Sequence, residues 1–244
     1  MSRRFADLRL ACRFSSEEEL RGLLERARAF GFRLVAVPLG SDVGREELIR
    51  LKELASEVGI DLATRVDLAP ENRPQLLSAL RKLRRRFELV GVFCRTKEVA
   101  RVAARDRRVD LLAFPLKPRA RFFDDAEAEL ASGSNCALEI ELMPLFRLGA
   151  ADRIDLLGRL REEVALAREF GVPVVLSSGA EEPILMRRPR ELAYLGTLLG
   201  LSLEEALDAL SDVPAGMVER NRAKLDPSFI APGIRVVRWG RDCP

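Results

Sequence analysis

Three groups of residues have types and spacings suited to chemistry. The first follows the β-branched run Val172–Leu176: Ser177, Ser178 and Gly179, then Arg187, Arg188 and Arg190 around Pro189. A buried strand that empties into small residues ahead of a helix offers hydroxyl and backbone N–H donors to an anion, and the arginines add a positive field. A plainer arrangement fits the same residues, with Pro189 in the first turn of a helix and the arginines solvated. The second group is Glu139 and Glu141, in the run Ala137-Leu138-Glu139-Ile140-Glu141-Leu142. On a strand both carboxylates share one face. Together with Asp67 they suit Mg²⁺ binding or proton transfer; alternatively they pair with Arg65 or Arg95, the reading favoured by the many arginines nearby. The third group is the basic run Arg81, Lys82, Arg84, Arg85 and Arg86. Leu76, Leu80, Leu83 and Phe87 form the buried stripe of that helix, which leaves the charges to water or to RNA.

Composition removes several alternatives. The 244 residues include no histidine, so Ser-His-Asp, Cys-His and H-E-x-x-H chemistries are unavailable. Cys12, Cys94, Cys136 and Cys243 form no C-x-x-C pair and are expected to be buried and inert, with neither a zinc cluster nor a disulfide framework. The net charge of +3 is a small difference between 41 basic and 38 acidic residues, so RNA contact would have to come from a local patch. Only Lys52, Lys82, Lys97, Lys117 and Lys224 are lysine; arginine suits bidentate phosphate contacts. Few asparagines and glutamines fit thermal adaptation. No secretory or membrane-spanning run is present, so a soluble, cytoplasmic protein with no membrane contact is expected.

The elements that would position these groups alternate regularly. Strands are expected at Phe5–Leu10, Phe32–Val37, Ile60–Val66, Leu89–Cys94, Val109–Phe114, Cys136–Leu142 and Val172–Leu176. Helices are expected at 17–31, Gly44–Val58, Pro74–Arg86, Lys97–Arg105, Ala120–Ala131, Asp152–Phe170 and Pro189–Leu199, with Ser15 and Ser16 capping the first. Shorter helices follow near Leu203–Leu210 and Ala215–Lys224, then a tail with the apolar run Ile234–Val237. Seven βα repeats demand right-handed parallel crossovers. With no G-x-G-x-x-G after the first strand, an open nucleotide-binding sheet is disfavoured. The expected fold is α/β: a single TIM-barrel-like (β/α) barrel over 1–244, with seven parallel strands and extra C-terminal helices. Its C-terminal strand ends would gather Arg13, Ser41, Arg65, Asp67, Arg95, Lys117, Glu139, Glu141, Arg147, Ser177 and Ser178.

Several segments, in order, resemble the protein component 3 family of archaeal and eukaryotic ribonuclease P. They are Phe5-Ala6-Asp7-Leu8-Arg9, the run from Arg108 to Pro115, Glu139–Leu142 leading to Pro144-Leu145, Val174–Ala180, Arg187–Leu192, and Arg220-Asn221-Arg222 before Pro232-Gly233. The resemblance implies a barrel subunit of a ribonucleoprotein that removes 5′ leaders from precursor tRNA, the Mg²⁺-assisted hydrolysis belonging to the RNA and no cofactor to the protein. Implied partners are ribonuclease P RNA, protein component 2 and other subunits, with precursor tRNA reached indirectly. Carried over by position, the RNA-binding candidates are Ser178, Arg187, Arg188 and Arg190, with Arg65, Arg95, Lys97 and Arg101; no catalytic or metal-binding residue is implied. The chain is also similar to PHP-type metal phosphoesterases, but Asp7-Leu8-Arg9-Leu10-Ala11 stands where their first strand carries histidines. The competing expectation is a barrel phosphoesterase that uses Asp67, Glu139 and Glu141 with Mg²⁺.

Overall fold

In the computed structural model, which describes residues 3–14, 16–134, 136–231 and 234–236, seven parallel strands run in chain order around a nearly closed barrel. They are β1 (Ala6–Asp7), β2 (Leu34–Leu39), β3 (Asp61–Leu68), β4 (Leu89–Phe93), β5 (Leu111–Ala113), β6 (Ala137–Glu141) and β7 (Val174–Ser177). After them in turn come α1 (Glu17–Phe30), α2 (Arg45–Val58), α3 (Arg73–Leu83), α4 (Lys97–Arg105), α5 (Asp125–Ser132), α6 (Ala150–Phe170) and α7 (Pro189–Thr197). Two further helices, α8 (Leu203–Asp208) and α9 (Asp212–Leu225), precede an antiparallel pair, β8 (Phe229–Ala231) and β9 (Ile234–Arg235).

Local sequence explains most boundaries. Ser16 accepts from Glu19 N at 3.2 Å, and Gly31 ends α1 in the left-handed region (φ 104°) that a side chain would strain. Asn72 and Thr96 cap α3 and α4 in the same way. Pro38 does not close the second strand, which continues to Leu39. Pro38 shares its edge with Ala36, whose carbonyl accepts from Leu10 N, and it falls at the end of the contact with the first segment, where a missing N–H is tolerated.

The strand side chains divide into two apolar layers. One lies between strands and helices. The other fills the barrel: Ala6, Leu8, Leu34, Ala36, Ala63, Leu89, Leu111, Ala137 and Val175, closed from below by Met217 and Val218 of α9. Such alternate-strand packing makes the lumen a core and not a pore. Polar anchors hold α9 there. Asn221 Nδ2 donates to Glu88 O and to Asp110 Oδ1 at 2.9 and 2.8 Å, and Arg222 grips Asp61 with both terminal nitrogens at 2.7 Å. Burial pushes Glu88 up, but Arg222 and Lys52 outweigh it and hold the carboxyl below its ordinary value. The Arg220–Arg222 segment thus belongs to the closure of the barrel floor.

Among the described residues no strand fills the gap between β7 and β1. The turn after α8 does so instead: Leu176 N donates to Ala209 O at 3.1 Å and Ala6 N to Leu210 O at 2.7 Å. Above that turn the two strand exits meet directly, Gly179 N donating to Arg9 O at 3.0 Å. Cys12, Cys94 and Cys136 are buried free thiols; Cys243 lies outside the described residues, as does Ser15.

Candidate functional site

At the C-terminal mouth of the barrel the alternation that points Ala63 and Ala137 inward also points Arg65, Asp67, Glu139 and Glu141 inward. Arg65, 1% exposed, meets Glu139 in a bidentate pair, both contacts 2.6 Å. Its Nε donates to Asp67 Oδ1 at 2.7 Å, and one terminal nitrogen also reaches Leu8 O at 2.7 Å. Arg9 enters from above. Its Nε donates to Asp67 Oδ2 at 2.9 Å and a terminal nitrogen to Glu141. The carboxylate pair is therefore ion-paired, with Arg65 as anticipated, and with Arg9 where Arg95 was the other expected partner. Two glycines make room: a Cβ on Gly91 would lie 2.6 Å from Asp67 Oδ1, and one on Gly179 2.7 Å from Glu141 Oε2.

Charge sets the protonation of this network. Burial pushes Asp67 up, but Arg65 and Arg9 outweigh it and keep it below its ordinary value. For Glu141 burial wins over Arg9, with Glu139 adding repulsion, and the carboxyl is raised. Asp7, wholly buried, is also raised by burial despite the N–H groups of Ser178 and Arg9 on its Oδ1; its Oδ2 has no hydrogen-bond partner. Among the described residues no group of three or more His, Cys, Asp or Glu side chains is arranged to hold a metal ion. The oxygens of Asp67, Glu139 and Glu141 are directed instead at guanidinium groups.

The small-residue loop after β7 does hold an anion, but an internal one. Ser177 Oγ donates to Glu139 Oε1 at 2.7 Å, and Ser178 N donates to Asp7 Oδ1 at 3.0 Å. Ser178 is buried, with its Oγ on Arg9 O, so it is closed to an external phosphate, and so is Arg65. Arg65 is turned into the lumen by the alternation of β3, whereas Ser178 stands on the loop that closes over Asp7.

The other candidates fall into two groups, separated in the sheet by β5 and β6. Beside β4, Arg95 and Lys97 are exposed, Arg95 over the Phe93 ring at 5.5 Å and Lys97 3.6 Å from Asp124. Arg101, one turn on, is taken up by Asp124 and Glu127 of the next unit. Beside β7, Pro189 opens α7 in accord with the plainer reading, and Arg187, Arg188 and Arg190 are exposed. Arg187 donates to the carbonyls of Ile184 and Met186, both at 2.9 Å. The basic run spans the end of α3, which stops at Leu83 rather than Arg86, and the turn after it: Arg84 pairs with Asp110 at 2.6 Å and Arg86 reaches Ser41 O and Val43 O, while Arg81, Lys82 and Arg85 face outward.

Glu127 supplies a pH-dependent element. Burial outweighs Arg101, and its carboxyl is pushed up to about 7. An acid raised above its ordinary 4.5 favours the fold while protonated, so its contribution is fully present below that value and is lost as pH rises through 7. Glu127→Gln is therefore expected to gain thermal midpoint over the unaltered chain between about pH 5 and about pH 8. Parallel midpoint curves would contradict the assignment.

A family model described as RNase P subunit p30 matches residues 4–226. Ribonuclease P protein component 3 of Methanosarcina acetivorans is 32% identical over 212 residues, 86% of each chain. The same component of Methanothermobacter thermautotrophicus is 27% identical over 79% of this chain and 78% of its own. In three dimensions the chain is similar to one in the cryo-EM structure of archaeal ribonuclease P with mature tRNA, with a TM-score of 0.82 at 20% identity over 97% of this chain and all of that one. A putative prolidase from Bifidobacterium longum shares the barrel more distantly, with a TM-score of 0.55 at 15% identity over 90% and 70%.

Proposed function

Because the chain belongs to the RNase P subunit p30 family, we propose how it serves as a protein subunit in tRNA 5′ processing: it binds and orders the ribonuclease P RNA without performing the hydrolysis. The RNA, with Mg²⁺, carries out the cleavage. Ribonuclease P protein component 2 and the other subunits are its protein partners in the cytoplasm, and precursor tRNA is met through the assembly. Among the described residues no helix is long and apolar enough to cross a membrane.

The observation that carries this reading is the division of the arginines. Those in the barrel mouth neutralise the carboxylates that phosphoesterase chemistry would need. Those outside, Arg95 and Arg190 with Lys97, present charge to solvent, where release of counterions from RNA favours association. The phosphoesterase alternative would require Asp67, Glu139 and Glu141 freed from their guanidinium partners.

Cleavage of precursor tRNA at fixed Mg²⁺ tests this in four mixtures: the chain alone, the RNA alone, RNA with component 2, and all three. The chain alone is expected to be inert and the triple mixture to outpace the double. Cleavage by the chain alone, or no gain on adding it, counts against the reading.

A further inference from the structure

The seam between β7 and β1 is where an eighth barrel helix would stand, and only α8, six residues long, represents it. Between α1 and α7, on either side of that position, opens a groove of about 840 Å³, lined among others by Arg26, Phe30, Phe146, Ile184, Arg188 and Leu195. Phe146 is 54% exposed and Ile184 66%. Tyr194 on α7 and Leu198, the residue that caps its C-terminus, are 62% and 48% exposed. Single exposed apolar side chains are ordinary, but a set gathered on two loops and one helix marks a contact surface.

The flanks of the groove are cationic. Arg26 lies over the Phe30 ring at 5.4 Å, and its buried Nε has no hydrogen-bond partner. Arg188 offers an exposed guanidinium from the other wall. The carboxylate in the lining, Glu191, is occupied with the backbone N–H of Arg188 at 3.1 Å. The lining mixes Phe30 and Phe146 with aliphatic and methionine side chains, and Arg26 already covers the Phe30 ring, which leaves an uneven apolar surface suited to the interdigitating side chains of a helix.

We propose that this groove receives an amphipathic α-helix from another protein subunit, with its apolar face on Ile184, Phe146 and Leu195 and acidic flanking residues toward Arg26 and Arg188. The inference rests on the subunit reading above and adds to it the place and chemistry of a protein partner. It also reassigns Arg187 and Arg188. The first braces the groove loop through the carbonyls it binds, and the second faces the partner helix rather than RNA phosphate.

The test uses the full chain, each of the other purified ribonuclease P protein subunits of the same organism in turn, and the ribonuclease P RNA. Ile184→Glu, Phe146→Glu and Arg188→Glu alter exposed positions, and thermal melts verify that the fold is retained. For one protein subunit, calorimetric affinity is expected to fall at least ~10-fold with each variant, while RNA affinity stays within ~2-fold. Unchanged affinity for every subunit overturns the proposal. So does an RNA affinity that falls in place of the protein affinity, or a self-association seen by sedimentation that the variants abolish. If the unaltered chain still accelerates the reconstituted cleavage, such a result removes the groove assignment and leaves the subunit reading intact. If the chain adds nothing to cleavage, the subunit reading itself has failed.

Discussion

Arg65→Ala is expected to lower the free energy of unfolding by about 3–5 kcal/mol, because removing one member of a buried ion pair leaves the other charged and dehydrated. Arg65 serves two carboxylates and a carbonyl at once, all within 2.7 Å. Without it Glu139 retains only the Ser177 hydroxyl, and Asp67 only Arg9. Arg65→Lys restores charge but not the two-pronged geometry, so it is expected to recover part of the loss. Replacing both partners, as Arg65→Met with Glu139→Leu, removes the unpaired charge and is expected to be far less harmful than either partner's loss alone. Denaturant titrations of the single and double variants read this directly. A loss below about 1 kcal/mol for Arg65→Ala would mean that water reaches the carboxylates and that the mouth is not the sealed network described.

The second large effect is on RNA. Replacing Arg95, Lys97 and Arg190 together by Ala is expected to make log affinity against log salt shallower by roughly 2 to 3, since each phosphate contact contributes about 0.7 to 0.9 to that slope. All three side chains are exposed, so the fold should tolerate the change. Filter binding of ribonuclease P RNA between about 50 and about 200 mM salt gives the slope. An unchanged slope would shift the RNA surface to Arg81 and Lys82 of α3 and Arg85 in the turn after it.

Much of this architecture is legible in the chain because its signals are local. The bounds of α4 coincide with the expected Lys97–Arg105, since Thr96 caps its start and the apolar spacing leaves no ambiguity. Seven βα repeats with no nucleotide-binding glycines pointed to the barrel, and the structure is one. The first strand is shorter than Phe5–Leu10, in register with β2 at Ala6 and Asp7, because the backbone bends at Leu8 and brings Arg9 inward before Leu10 N returns to Ala36 O. That bend, and hence the role of Arg9, has no local signature: Asp7 and Arg9 alternate with Leu8 and Leu10 as they would on a solvent-facing strand. Ser178 misleads for a related reason. A loop of small residues with free N–H groups is the right device for an anion, but its anion is Asp7, far away in sequence and adjacent only once the ring closes.

The two-residue bridge at Ala209 and Leu210 sets a timetable. On a ribosome β1 emerges first and finds β2 within a few dozen residues, yet its other edge waits for Leu210 O. β7 likewise waits for Ala209 O, and the lumen stays open below until Met217 and Val218 arrive. Closing contacts of such long sequence separation are slow to form. Most of the chain must therefore be made before the barrel can be sealed, and nascent chains that stop short of α9 expose an apolar lumen to whatever chaperone or subunit meets them first.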